Sequence, residues 1–250
     1  MARHEPLDAI ILNAPQGDSG RTPLLLTVEH ATNFVPPDLN NLGLSVDLVQ
    51  DHVAWDIGAL EVAKGMALAL GAALVAAPAS RLLIDPNRDL NAHDLIPETA
   101  EGLPVPGNLR LSDEERAARI AAYHAPFHAG VEKTLCAHPD IVAIVSIHSF
   151  TPQLFGQKRP WHAGILYDAD TRMADTIFNY LKADPNIVVG RNQPYAPTQG
   201  VFYSMDRHAA GRAVVMLEVR NDLIKHKQGQ ERWSKLLAGA TAAALKGLAA

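Results

Sequence analysis

The chain has 250 residues, a formal net charge of -5, 48% hydrophobic residues and 20% charged residues. That balance excludes disorder as the main state, and charges of both signs interspersed without a basic block leave no electrostatic footprint for DNA, RNA or anionic lipid. With Cys136 as the one cysteine, a disulfide framework and a thiolate metal cage are both excluded, and Cys136 reads as a small apolar residue in a helix.

No Pro/Gly/Ser-rich linker divides the sequence, so a single domain over residues 1–250 is expected. Met1–Asp8 is polar, Ala9–Leu12 is too short for a signal core, and no run reaches the ~18 apolar residues of a membrane span. The expectation is a cytoplasmic protein with a small-molecule partner.

The first buried-strand candidate, Pro23–Val28, runs directly into Glu29, His30, Ala31, Thr32 and Asn33. Pro36 and Pro37 end regular structure. Over Ser45–Leu70 the apolar residues Val49, Val53, Ile57 and Leu60 recur at helical spacing, which predicts a helix carrying Asp56 amid apolar neighbours. Gly71 is a helix stop, and Ala72–Ala77 is a short apolar segment with weaker strand preference. Ser80 and Arg81 lead into Leu82–Ile84, a strand candidate that Pro86 stops. Asn87 and Arg88 then present an amide and a planar guanidinium at a rim, a combination suited to gripping a carboxylate.

Residues 91–110 lack periodicity and read as a long irregular loop, a feature that is often functional. Ser112 and Glu115 are spaced as a capping box opening a helix to about His138, which Pro126 is expected to kink. His124 and His128 stand one turn apart on that helix, a metal-compatible spacing without an HExxH glutamate.

In Ile141–Phe150, IVAIVSIHSF, five of the first seven residues are β-branched. Such a run reads as a strand buried on both faces, so the sheet carries helices on both sides. Ligand crevices in such sheets lie beyond the carboxyl ends of the strands, where His148, Ser149 and Thr151 emerge. A polar loop with Arg159 follows, then a strand over Ala163–Tyr167, an amphipathic helix over Asp170–Leu181, a short strand over Ile187–Val189 and a loop over Asn192–Gln199. Arg212–Val219 is the clearest remaining buried strand. Alternation puts Glu218 on the face of Met216 and Arg220, and a buried carboxylate needs a partner or a purpose. An ion pair with Arg212 or Arg220 is one account of Glu218, and a general base is the other. Gln230–Leu248 reads as an amphipathic helix. Strands alternating with helices make the fold α/β.

The strand ends thus present Glu29, His30, Asn87, Arg88, His148 and Glu218. Two histidines plus a carboxylate are the ligand set of a catalytic zinc. A further glutamate can act as general base, and an arginine can hold a substrate carboxylate. Ser149 lacks a GxSxG elbow, and neither GxGxxG nor a P-loop occurs, which disfavours a serine hydrolase and a nucleotide-binding module.

The motifs EHATN at 29–33, HVAWDIGA at 52–59, SRLLIDPNR at 80–88, PGN at 106–108, IHSFTP at 147–152, RPWHAGILY at 159–167, NQPYAP at 192–197 and LEVRNDLI at 217–224 together resemble the N-formylglutamate amidohydrolase family. The resemblance spans nearly the whole chain. It implies an open mixed sheet with helices on both faces, similar to zinc carboxypeptidases and aspartoacylases (phosphorylase/hydrolase-like). It also implies a Zn2+-dependent hydrolase that cleaves the amide of an N-formyl or N-acyl amino acid such as N-formyl-L-glutamate, with a place in histidine catabolism. His30 and His148 correspond to metal ligands. The relatives' first motif is HxxE, whereas this chain has Asn33 three residues after His30, which leaves the third ligand between Asp56 and Glu29. Glu218 corresponds to the catalytic glutamate, and Asn87 and Arg88 to the pair that binds the substrate carboxylate, with Arg81, Arg159 and Ser149 as further substrate contacts. The alternative is a non-catalytic or differently specific member that binds a small carboxylate or peptide.

Overall fold

The computed structural model describes residues 5–12 and 22–248; Met1–His4, part of the stretch read for a signal segment, lies outside the described residues. An edge strand absent from the expected elements, β1 (Ile10–Leu12), precedes β2 (Leu24–Val28), which is buried throughout. The expected helix over Ser45–Leu70 is two helices, α1 (Val46–Gln50) and α2 (Ala59–Leu70). Between them the backbone N–H of Asp56 donates to His30 O at 2.9 Å, and Gly58 takes a left-handed φ of +83°. Asp56 is therefore a loop residue drawn to the end of β2, and the helical spacing of Val53 and Ile57 is incidental.

β3 (Ala73–Ala76) follows. Leu82–Ile84 is a turn rather than a strand: Ser80 accepts the N–H of Leu82 on its side chain and that of Leu83 on its carbonyl. All three side chains are buried in a satellite cluster over the irregular loop, so burial rather than sheet pairing accounts for the apolar triplet. Within that loop β4 (Thr99–Ala100) and β5 (Leu103–Pro104) form a small hairpin. Ser112 and Glu115 close both bonds of a capping box at α3 (Asp113–Arg119). One π turn, Ile120–His124, then joins α3 to α4 (Ala125–Ala137), with the Ala125 N–H bonded to Ile120 O. The wide turn absorbs Pro126, which has no N–H to give, without breaking the helix. Cys136 lies on α4 but is exposed.

The remaining elements are β6 (Ala143–Phe150), the hairpin β7 (Gln153–Leu154) and β8 (Gln157–Lys158), β9 (Ala163–Leu166), α5 (Ala174–Lys182), β10 (Val189–Arg191), α6 (Tyr203–Ala209), β11 (Ala213–Arg220) and α7 (Lys227–Leu248). Seven strands form one open sheet in the order β1-β3-β2-β6-β11-β9-β10. β3, β2, β6 and β11 run parallel, while β1 and β9 run antiparallel to their neighbours β3 and β11. This is the open mixed sheet expected.

Side-chain alternation divides the core between the two faces. Leu24, Leu26 and Val28 pack with Met66 of α2, Ile177 of α5 and Trp233 of α7. Leu25, Ile144 and Met216 pack on the other face with Phe127 of α4 and Met205 of α6. Glu218 continues the row of Met216, as alternation requires, and stands opposite His148 in the register of β11 and β6. Among the described residues no helix is long and apolar enough to cross a membrane.

Gly58 tests the break between α1 and α2, because a Cβ there would lie 2.2 Å from Ile224 O. Gly58→Ala is expected to cost at least about 2 kcal/mol through left-handed strain and overpacking. For a chain of this size that lowers Tm by roughly 4–8 °C. An unchanged melting curve would show that the loop tolerates a side chain.

Candidate active site

Three parallel strands deliver the site at their carboxyl ends. Glu29 and His30 follow β2, His148 lies near the end of β6, and Glu218 lies near the end of β11. His30, Asp56 and His148 each offer one ligand atom, all within 4.8 Å of one another. Asp56 Oδ2 is 2.8 Å from His148 Nδ1 and 3.4 Å from His30 Nδ1, and it also accepts the Ser149 N–H at 3.1 Å. The outer nitrogen of each imidazole meets a second carboxylate. His148 Nε2 is 3.0 Å from Glu29 Oε2, and His30 Nε2 is 2.8 Å from Asp85 Oδ1. Glu29 is fixed in turn by the hydroxyls of Thr27 and Ser146, which donate to it at 3.0 and 2.5 Å. Of the two carboxylates left open as third ligand, Asp56 lies between the histidines and Glu29 lies behind His148.

Charge is concentrated and buried here. Burial opposes ionisation of Asp56 and Asp85, yet His30 in both cases, with His148 at Asp56 and Arg81 at Asp85, holds their carboxyls well below the ordinary range. Burial likewise works against Glu29, but the His148 hydrogen bond brings it down to about 2. His148 is raised well above its ordinary value, because the carboxylates of Asp56 and Glu29 outweigh its burial. Glu218 differs. Burial, opposed by His148 and reinforced by Asp56, pushes its carboxyl up to about 7. Neither expected ion pair forms, since Arg220 pairs with Asp222 and Arg212 donates to Ile141 O.

Two buried polar atoms of the site, His30 Nδ1 and Glu218 Oε2, have no hydrogen-bond partner among the described residues. An orphaned imidazole nitrogen beside a carboxylate oxygen and a second imidazole nitrogen fits a divalent metal of the zinc type. The carboxylates behind both histidines are the outer support such ligands receive. His30, Asp56 and His148 are the residues that could hold the ion.

An inner chamber of about 110 Å³ is lined by His30, Asp56, His148, Glu218, Arg88 and Tyr195, among others. It adjoins an outer vestibule of about 260 Å³ through shared walls at Asp56, Arg81, Arg88, Ser149 and Tyr195. Arg81 bridges Asp56 and Asp85 at 3.5 and 3.3 Å, and Arg88 Nε pairs with Asp94 at 2.7 Å. Asn87 lines the inner chamber, but its amide is engaged by the backbone, donating to Val201 O at 2.5 Å and accepting the Ser204 N–H at 2.9 Å. Ser149 Oγ donates to Ile57 O. Arg159 lines neither chamber: it donates to the Tyr195 hydroxyl at 3.1 Å and stacks 4.9 Å from that ring. His124 and His128 also stand away from both chambers.

Sequence reasoning missed Asp85 and Tyr195. Asp85 was visible only as the first residue of DPNR, where an aspartate reads as a turn former. Tyr195 lay inside NQPYAP with nothing in its spacing to single it out.

The family model described as N-formylglutamate amidohydrolase matches residues 22–225. Among solved structures, gene product Atu2144 of Agrobacterium tumefaciens is similar at 35% identity and a TM-score of 0.91, covering 97% of this chain and 96% of that one. A metallo-carboxypeptidase of Burkholderia cenocepacia shares 14% identity at a TM-score of 0.38, over 96% of this chain and 60% of that one. An aspartoacylase family protein of Mesorhizobium loti shares 16% identity at a TM-score of 0.35, over 95% of this chain and 65% of that one. The latter two likenesses are too low to bear on the site. The curated proteins give no match.

The support behind His148 can be tested without a substrate. Glu29→Gln keeps shape and hydrogen-bonding capacity but removes the charge that orients the ring. Zinc affinity, read by chelator competition, is expected to fall about 10–100-fold with little change in Tm. Wild-type affinity would remove Glu29 from the support of the centre.

Proposed function

The chain belongs to the N-formylglutamate amidohydrolase family, and on that premise we propose that it is a cytoplasmic, metal-dependent hydrolase of N-formyl or N-acyl amino acids such as N-formyl-L-glutamate, with zinc as the metal. The observation that carries this reading is that His30 Nδ1 and Glu218 Oε2 are both buried on one chamber without a hydrogen bond among the described residues.

His30, Asp56 and His148 would hold the ion, which would supply Lewis acidity toward an amide carbonyl and a water at neutral pH. Glu218 takes a proton from the attacking water as its oxygen bonds to the acyl carbon. When the carbon–nitrogen bond breaks, Glu218 returns that proton to the departing nitrogen, giving a carboxylic acid and an amine. A carboxyl raised to about 7 is matched to both halves of this exchange. Arg88, with Arg81, receives the carboxylate of the amino-acid part. Tyr195 adds a phenol whose oxygen already accepts from Arg159, which leaves its hydrogen to point at the substrate. Asn87 and Ser149 act indirectly by holding the backbone around the chamber. Arg159 acts indirectly by holding Tyr195.

Metal analysis of the purified protein together with a screen of N-acyl amino acids for amine release tests the reading. A protein that binds no divalent metal and releases no amine is the non-catalytic binding member instead. On a substrate so identified, Glu218→Gln is expected to lower kcat by roughly 10²–10⁴-fold, with bound zinc and Tm near wild type. Near-normal kcat would end the general-base assignment. Arg88→Lys is expected to raise KM by about tenfold or more, because an ammonium cannot reproduce the planar two-donor fork. Unchanged KM and kcat would take Arg88 out of substrate capture.

A further inference from the structure

His124 and His128, conspicuous in sequence by their one-turn spacing, serve neither chamber, yet both are buried, at 2% and 1% exposure, as is His208 of α6 at 4%. Their ring centroids lie 4.5 Å apart between His124 and His128 and 5.1 Å apart between His128 and His208. His128 Nε2 is 3.0 Å from Pro86 O. A carbonyl only accepts, so Nε2 carries the hydrogen. Burial drives the His128 pKa down to about 2 and that of His208 to about 4, so both rings are neutral. Nδ1 of His128 must then accept, and its partner is His208 Nε2 at 2.8 Å. His124 Nε2 donates in the same way to Arg88 O at 3.2 Å. Burial lowers the His124 pKa as well, and the two backbone carbonyls flanking Asn87 fix the tautomers of His124 and His128 directly and that of His208 through His128.

The turn that these carbonyls belong to carries both halves of the site. Asp85 Oδ1 holds His30 Nε2 and also accepts the Asn87 N–H at 2.8 Å. Arg88 faces the two chambers. Asn87 ties the same turn to the start of α6 through Val201 O and the Ser204 N–H. The chain from His208 through His128 to Pro86 therefore closes a ring linking α6, α4 and the turn. Buried carbonyls need donors, and a donor on a packed ring fixes direction in a way that a water molecule does not.

We propose that His128, supported by His208 and accompanied by His124, is a positioning residue that sets the Asp85–Arg88 turn, and through it the orientation of His30 and of the Arg88 guanidinium. The kinetic consequence rests on the amidohydrolase reading above, whereas the consequence for metal binding does not require turnover.

The test compares His128→Leu, which keeps bulk and removes both hydrogen bonds, with His128→Gln, whose amide can still donate to Pro86 O and accept from His208. Zinc affinity is measured by chelator competition, Tm on the metal-free proteins, and kcat and KM on the best N-acyl amino acid. His128→Leu is expected to bind zinc about 3–10-fold more weakly, one step further from the metal than a directly supporting carboxylate. Its kcat/KM is expected to fall about 10²-fold, the scale of an ångström of misplacement, while His128→Gln stays within about threefold of wild type on both readouts. A lowered Tm with wild-type zinc affinity and kinetics per folded molecule would overturn the proposal, as would equal losses in the two variants. If the wild-type protein releases no amine from any N-acyl amino acid, the proposed function fails and the zinc comparison alone decides on His128. Should His128→Leu not fold, His208→Leu takes its place, with at least a threefold weaker zinc affinity expected for a ring no longer fixed at Nδ1; wild-type affinity there would overturn the proposal.

Discussion

The Asp56 carboxylate, 3% exposed and set between two imidazoles, is the interaction on which the rest of the arrangement depends. A buried carboxylate is tolerable only when paired and hydrogen-bonded, and each partner of Asp56 comes from a different part of the chain. His30 comes from the end of β2, His148 and the Ser149 N–H from β6, and Arg81 from the turn after β3. Meeting those partners is incompatible with a helix through residue 56, which is why α1 and α2 are separate and why Gly58 turns left-handed between them. Four buried carboxyl groups, Glu29, Asp56, Asp85 and Glu218, face two arginines at this end of the sheet.

The sheet was legible because its central strands are unambiguous in sequence. β2, β6 and β11 are continuous apolar runs, and the polar residues that interrupt or follow them, His30, His148 and Glu218, converge once parallel pairing places their carboxyl ends side by side. Alternation alone assigned Glu218 to the face of Met216, where the register sets it opposite His148. Illegibility had specific causes. Val53 and Ile57 satisfy helical spacing from within a loop, and Leu82–Ile84 is apolar because it fills a satellite core. The partner of Asp85 is 55 residues away, beyond any local pattern. Glu29 and Asp56 were equally good ligands on paper, since nothing in one dimension distinguishes a carboxylate facing the inner nitrogen of an imidazole from one facing the outer nitrogen.

The three arginines expected at the substrate divide by depth. Arg81 and Arg88 each pair with a carboxylate and still line both chambers. The Arg159 guanidinium is spent on Thr151 O, the Tyr195 hydroxyl and the Tyr195 ring face. A planar, permanently charged group suits that stacking role as well as it suits carboxylate capture, and sequence cannot separate the two uses.

The division into two chambers separates two physical demands. The reacting side of the inner chamber is set by strand ends, at His30, His148 and Glu218, whose positions are fixed by the sheet and its two packed faces, as a preorganised site requires. On the proposed reaction, its volume of about 110 Å³ is that of a small acyl group's site. The vestibule is walled by loop residues such as His52, Asp94, Glu101 and Thr151, and walls of that kind vary without disturbing a scaffold. Asp85 lines the vestibule and links it to the inner chamber, with one oxygen on His30 and the other facing Arg81 and Arg88. On the proposed reaction, that single carboxylate couples the orientation of a metal-facing imidazole to the placement of the guanidiniums that receive the substrate. A displacement of the Asp85–Arg88 turn therefore acts on catalysis and recognition together.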